Sequence, residues 1–273
     1  MADDDWTTKI NTSVPNPARI YDYLLGGKDN YPADREVAEQ VVAVAPVTRE
    51  VVRDNRAFLR RAVGFLTEEA GVRQFIDLGS GLPTHGNVHE IAQAIAPDAR
   101  VVYVDNDAMV VTHSRALLAD DNTITVQADL REPDAILGHP EVRKLIDFDR
   151  PVALLLLAIL HFVPDDQDPH GIVARFRDLL PAGSYLALSH STRDVPVRPD
   201  MTPAEMTEMG TKVQRLYQMT TTLIVPRTRT QVERFFDGFD LVDPGLVEIQ
   251  RWRPDRQRSM LPGGFYGGVG RKR

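Results

Sequence analysis

Residues Arg73 to Gly86 read RQFIDLGSGLPTHG. Phe75, Ile76 and Leu78 form a short apolar run that stops at Gly79-Ser80-Gly81, and the periodic segment after it, Asn87 to Ile95, predicts a helix. A buried strand, a glycine turn and a helix in succession open a nucleotide-binding α/β fold. The two glycines let the backbone pass close beneath a ligand, and Asp77 sets a carboxylate at the carboxyl end of the strand. A dinucleotide fingerprint would carry a third glycine at position 84. Thr84 stands there, after Pro83, which turns the reading toward a ligand without a pyrophosphate.

Downstream, strands and helices alternate. Arg100 to Asp105 and Thr123 to Asp129 read as strands around a helix from Ala108 to Leu118, and Val152 to Leu160, almost wholly apolar, reads as a central parallel strand covered on both faces. Asp168-Pro169 has the form of an N-cap and first helical residue, opening a helix to Leu180 before a fifth strand, Gly183 to Ser189. The last third departs from the alternation: a proline-rich loop at 194–200, a helix from Thr202 to about Met219, a short helix from Gln231 to Phe236, then strands within Phe239 to Gln250 and Phe265 to Gly270. Two late strands joined by a loop predict an antiparallel pair at the sheet edge.

Upstream, about seventy residues are mostly helical: Ala18 to Leu25 ended by Gly26-Gly27, Ala33 to about Val44, and an amphipathic helix from Thr48 to Glu69 with Val51, Asn55, Phe58, Ala62 and Phe65 on one face. They are too few for a core of their own but enough to cover the mouth of a sheet. Residues 1–70 are therefore expected to form a helical N-terminal cap within the same domain as residues 71–273.

Composition narrows the function. A chain of 273 residues, 42% hydrophobic, can bury a sizeable core, and a net charge of −7 gives no general reason to expect nucleic acid or an anionic membrane as partner. The absence of cysteine excludes disulfides, thiolate nucleophiles and cysteine-ligated zinc. The acidic start MADDDWTTKI lacks the apolar run of a secretory signal, and Val152 to Leu160 is too short to span a bilayer, so cytoplasmic residence is the expectation.

Taken together, the residues resemble class I S-adenosylmethionine (SAM)-dependent methyltransferases over about positions 48 to 270. Ile76-Asp77-Leu78-Gly79-Ser80-Gly81 looks like the first motif, with Pro83 where the family usually has a further glycine; Val104-Asp105-Asn106-Asp107 looks like the acidic end of the second strand, and Gln127-Ala128-Asp129-Leu130 is similar to the third. Asn16 to Asn30, NPARIYDYLLGGKDN, resembles the N-terminal signature of a bacterial subfamily of SAM-dependent methyltransferases and extends the likeness to nearly the whole chain. The resemblance implies a Rossmann-like, seven-stranded, mostly parallel sheet with an antiparallel terminal hairpin and helices on both faces. It further implies SAM as cofactor, held by Asp77, Gly79, Ser80, Gly81, Asp105, Asn106, Asp129, Leu130 and Ala158; the segment after the helix Ala18 to Leu25 reads either as a helix C-cap and turn or as a flap in which Tyr21, Tyr23, Lys28 and Asn30 close over the cofactor.

The chemistry agrees. Asp105 can accept from both ribose hydroxyls, Asp129 from the adenine amino group, and Asp77 can face the ammonium of the methionyl part. His161, just past the fourth strand, reads either as a general base or as a satisfied structural histidine. No metal is expected: His85 and His89 have metal-pair spacing without a nearby third ligand, and Asp165, Asp166 and Asp168 read as loop and cap. Arg251, Arg253, Arg256 and Arg258 read as a solvated loop rather than an RNA contact. The expected partner is a small-molecule acceptor chosen by the cap and residues 190–226, on a monomer or homodimer. A SAM-binding regulator without catalysis and a nicotinamide-dependent oxidoreductase are the alternatives.

Overall fold

Phe75, Ile76 and Leu78 are closed to solvent, and the strand they form, β1 (Gln74–Leu78), is buried along its whole length. The computed structural model describes residues 11–84, 86–117, 121–194, 201–255 and 264–273. Around β1 the sheet gathers β2 (Arg100–Asp105), β3 (Thr123–Gln127), β4 (Ala153–Leu157), β5 (Tyr185–Ser191), β6 (Phe239–Leu241), β7 (Val247–Glu248) and β8 (Phe265–Lys272). The order is β3-β2-β1-β4-β5-β8-β6, with β7 also on β8; β1 to β5 run parallel, and β8 lies antiparallel to β5, β6 and β7. Strand order reverses between β1 and β4, which opens a crevice at their carboxyl ends.

The mixed sheet and its antiparallel edge match the expectation, with one strand more than the seven foreseen. Residues 239–250 split into β6 and β7 because the chain turns between them at Gly245, which has φ of +82°. β4 stops at Leu157, since Ala158 takes φ of +56° and a 3₁₀ turn follows at Leu160–Phe162. β5 runs on to Ser191, where it still pairs with Phe265 of β8.

The pleat sorts the strands' side chains onto two cores. Ile76, Leu78, Val102, Val104, Leu154 and Leu156 face α6 (Pro133–Gly138), α7 (Pro140–Leu145), α8 (Pro169–Leu179) and α10 (Arg229–Glu233). Phe75, Val101, Tyr103, Ala153 and Leu155 face α3 (Thr48–Glu68), α4 (Val88–Ile95) and Trp252. α5 (Ala108–Leu117) follows β2. On α3 the buried stripe is Val52, Asn55, Phe58, Leu59, Ala62, Val63 and Leu66, turned slightly from the expected one, so that Val51 and Phe65 sit at its margin.

α1 (Pro17–Leu25) and α2 (Pro32–Val44) bury Ile20, Leu24, Val37, Ala38 and Val41 against Val52 of α3 and against Val213, Leu216 and Tyr217 of α9 (Pro203–Tyr217). Burying each of the Ile, Leu and Val side chains stabilises by roughly 1.5–3 kcal/mol. A buried ion pair fixes how this layer starts. Arg19 Nε donates to Asp34 Oδ2 (2.9 Å), and Asp34 also accepts from the amides of Asn16 (2.9 Å) and Tyr31 (2.8 Å). Arg19 also donates to the carbonyl of Val14 (2.6 Å). Replacing Asp34 by alanine leaves Arg19 buried without its counter-charge, and a loss of about 3–5 kcal/mol in unfolding free energy is expected in urea melts.

Candidate functional site

At the carboxyl ends of β1, β2 and β4 lies a cavity of about 860 Å³, roofed by α1, the start of α3 and α9. Its lining includes Asp77, Gly79, Ser80, Gly81, Asp105, Asn106, Asp129, Leu130, Ala158 and His161, so ten residues expected from the sequence converge on one space.

The glycine turn holds its shape through the neighbouring strand. Gly79 and Ser80 donate their amides to the carbonyl of Val104 (2.8 and 3.2 Å), and Gly81 donates to Asp105 Oδ2 (2.9 Å). Gly79 has φ of +69°, and a Cβ there would stand 2.3 Å from Ile159 Cγ1, so both conformation and space require glycine. At Gly81, also at positive φ, the same position is open.

Two carboxylates are buried beside this turn. Burial pushes Asp77 up to about 7, against the pull of the Arg56 guanidinium and with a push from Asp105. Burial likewise raises Asp105 to about 6, although the amides of Asp107 (3.0 Å) and Gly81 stabilise its charged form. Asp107 caps the start of α5 by accepting from the amide of Met109 (2.8 Å), and its other oxygen accepts from Asn16 Nδ2 (2.8 Å). Asn16 in turn caps α1 by accepting from the Ala18 amide (2.8 Å). One side-chain pair thus ties the start of α1 to the tip of β2. Asp129 is more exposed and is held below its ordinary range by Arg131, whose Nε donates to both carboxylate oxygens (2.9 and 3.0 Å).

Ala158 sits opposite, in a left-handed conformation anchored by its amide. That amide donates to the Ser189 carbonyl (3.1 Å) and Oγ (2.9 Å); Ser189 Oγ donates to Asn55 Oδ1 (2.6 Å), Asn55 Nδ2 to Tyr21 OH (2.9 Å), and Tyr21 OH to the Val52 carbonyl (3.1 Å). This relay links β4 and β5 to α3 and α1 across the cavity wall. Asn55 on an otherwise apolar helical face is its sequence trace.

His161 lines the cavity, but its surroundings do not suit a general base. It is 3% exposed, and burial, then His190 and Arg227, hold its imidazole well below the ordinary histidine range. Its Nδ1 accepts from the Ser191 amide at 3.4 Å, which favours the neutral tautomer with the proton on Nε2. Behind it, Arg227, 1% exposed, donates to the carbonyls of Leu160 (3.0 Å) and Val163 (2.8 Å), to Asp165 Oδ1 (2.6 Å) and to His190 Nε2 (2.9 Å). This knot pins the loop after β4. Arg227 and His190 carried no signal in the sequence, because their partners lie some thirty to seventy positions away.

Tyr23, Lys28 and Asn30 do not line the cavity; Tyr21 does, and it belongs to the relay. Asn30 Nδ2 donates to Asp22 Oδ2 (2.8 Å) and the Gly27 carbonyl (3.0 Å), Tyr23 OH donates to Glu39 (2.6 Å), and Lys28 is exposed. Gly27 packs against Asp22 so closely that a Cβ would fall 1.9 Å from its Oδ1. The signature segment therefore folds upon itself: its polar groups build the turn after α1.

His89 Nδ1 lies 2.8 Å from Tyr103 OH, and His85 lies outside the described residues. No cluster of three metal-ligating side chains occurs among the described residues. Nor, among them, is any helix long and apolar enough to cross a membrane. Arg251 pairs with Glu248 (3.0 Å) and Arg253 with Glu69 (2.8 Å); Arg256, Arg258 and residues 195–200 lie outside the described residues.

The lining suits a cationic ligand. Asp77 and Asp105 are acceptors held in poor solvation, and Ser80 Oγ and Ser191 Oγ are buried without a hydrogen-bond partner among the described residues. SAM, a cation with hydroxyl and amino donors, fits these groups.

A family model described as S-adenosyl methyltransferase matches residues 3–273. Among solved structures, a DUF574 family protein from Streptomyces avermitilis MA-4680 is 43% identical with a TM-score of 0.88, covering 96% of this chain and 99% of that one. A candidate methyltransferase from Thermobifida fusca YX is 44% identical with a TM-score of 0.86, covering 96% of both chains. The plantazolicin methyltransferase BamL, solved with SAH, is 11% identical with a TM-score of 0.53 over 94% of this chain and 96% of that one, a likeness of fold alone. No curated protein matches.

Because the folded-state values of Asp77 and Asp105 exceed the ordinary carboxylate value of 3.8, the folded chain keeps protons that the unfolded chain has released. This share of stability is full below about pH 4 and is lost as pH climbs through about 6 and 7. In ligand-free protein, thermal melts across that range are expected to show a falling Tm, and Asp77→Asn, which cannot ionise, to flatten the fall.

Proposed function

The chain belongs to the S-adenosyl methyltransferase family and is a SAM-dependent methyltransferase, and from that premise we propose that the cavity at the tips of β1, β2 and β4 is its catalytic site and that the acceptor is a small molecule. The observation that carries the assignment of the cofactor is the pair Asp77 and Asp105, buried carboxylates lining one cavity beside a glycine turn. When bound, SAM supplies the electrophile, a methyl group on a sulfonium.

Each residue's role follows from its free valences. Both oxygens of Asp105 already accept a backbone amide, yet each keeps a second lone pair for a ribose hydroxyl. Asp77 faces the ammonium of the methionyl part, and Gly79, Ser80 and Gly81 let that part approach the backbone. Asp129 keeps lone pairs beyond its ion pair with Arg131 for the adenine amino group, while Asn106, Leu130 and Ala158 wall the nucleoside. Tyr23, Lys28 and Asn30 are not part of this reading. His161 is assigned to the wall between cofactor and acceptor as a neutral ring. Positioning and exclusion of water then supply most of the rate.

Residues 1–70, with α9, are assigned the covering role, as a cap within one domain; among the described residues α1 and α2 bury their apolar faces in this layer rather than on the sheet. No helix described here is built to cross a membrane, in keeping with a cytoplasmic enzyme.

Calorimetry is expected to show SAM binding and no NADPH binding, with Asp105→Ala weakening SAM by about 1–3 kcal/mol through loss of charge-assisted hydrogen bonds. Unchanged affinity in that variant would remove the ribose assignment. Profiling a metabolite extract with isotopically labelled SAM would then identify the acceptor by transferred label; label appearing on protein or RNA instead would refute the small-molecule reading. With that acceptor, His161→Gln should reduce kcat by less than about tenfold and leave the pH profile in place, whereas loss of a general base costs about 10²–10⁴-fold.

A further inference from the structure

The cavity is chemically divided. Its charged side chains belong to the strand tips and their neighbours: Asp77, Asp105, Asp107, Asp129 and Arg131, with Asp22 and Arg56 from α1 and α3. Asp22 is turned to its own segment, accepting from the Asp29 amide (3.0 Å) and from Asn30. Arg56 donates to the Gly86 carbonyl (2.9 Å) and lies near Asp77. The remainder is lined from α2, the first turns of α3, the loop after β4, α9 and residues 221–226, and among the described residues none of these segments contributes a charged side chain to it. Its surface combines apolar side chains such as Val51, Phe162, Val213 and Leu223 with the uncharged polar Thr48, Gln214 and Thr222.

Where the two halves meet, Asn55 and Tyr21 are engaged within the chain, while Ser191 Oγ has no partner among the described residues. Asn55, Ser189 and Tyr21 spend their hydrogens and acceptors on the relay, and His161 is neutral. A charged group entering this half would lose its hydration and find no counter-ion among the described residues, a penalty of several kcal/mol in a poorly solvated space. An apolar group gains from the same surroundings.

We propose that the half of the cavity under α2, α3 and α9 is a binding compartment for an uncharged, predominantly apolar small molecule, and that the acceptor belongs to this class. The proposal rests on the methyltransferase site described above and adds the chemical class that this site admits. Polar or ionic parts of an acceptor must project toward the strand tips or out through the mouth at Leu223, which is 49% exposed.

The test uses the full chain and two dyes that share one skeleton: neutral N-phenyl-1-naphthylamine and its anionic sulfonate counterpart, 1-anilinonaphthalene-8-sulfonate. Fluorescence titration is expected to give one site for the neutral dye, with the sulfonate at least tenfold weaker. Val213→Asp, which sets a carboxylate in the compartment, and Val51→Trp, which fills it, should each weaken the neutral dye at least tenfold while leaving SAM affinity by calorimetry within twofold. Melting temperatures establish that the variants are folded, and the comparison of the two dyes on the unaltered chain needs no variant. Equal affinity for both dyes, or neutral-dye affinity unchanged in a folded variant, overturns the proposal. Failure of the unaltered chain to bind SAM would instead overturn the assignment of the cofactor site, so the two failures are told apart.

Discussion

Two carboxylates held out of water at adjacent strand tips, with neither given a salt bridge among the described residues, are the constraint around which this molecule is arranged. Charged side chains in that position are destabilising unless something compensates them, and here the compensation within the chain is partial: two backbone amides for Asp105 and the nearby Arg56 for Asp77. The parallel sheet is what holds them there. Strand order reverses at β1 and β4, the tips of β1 and β2 lie side by side in register, and the glycine turn hangs from the Val104 carbonyl. On the assignment proposed above, a positively charged nucleoside completes the electrostatics that the folded chain leaves open.

Above the strand tips, the covering layer is registered to the sheet by polar contacts rather than by apolar packing alone. The relay from Ala158 through Ser189 and Asn55 to Tyr21 crosses four elements, and Asn16 joins the cap of α1 to the cap of α5 through Asp107. Apolar packing is tolerant of sliding, whereas hydrogen bonds are directional and penalise it. The roof therefore has a defined position over the tips. The left-handed backbone of Ala158, a conformation unfavourable for a side chain with a Cβ, is held in place by the same contacts.

Much of this was legible in the sequence because it is local. An apolar run ending in Gly79-Ser80-Gly81 specifies strand and turn within a few residues, and acidic residues at the ends of later runs fall at strand tips once the alternation is recognised. What was not legible depends on distant partners. His161 looks like a free base until Arg227 and His190 close around it. The polar residues of Asn16 to Asn30 look poised for a ligand until Asp22, Asn30 and Gly27 are seen to satisfy one another, and Asp34 to neutralise Arg19. Short helices such as α6 and α7, each begun by a proline and only six residues long, leave too little periodicity to be read.

The roof has a further consequence for how such a protein can diversify. Its walls come from α1 and α2 near one end of the sequence and from α9 near the other, and none of the three contributes a strand. Side chains there that lie outside the polar relay can be exchanged for others of similar bulk without altering the pairing of the strands. Lineages built on this scaffold are free to retool the roof for new chemistry while the floor beneath stays as it is.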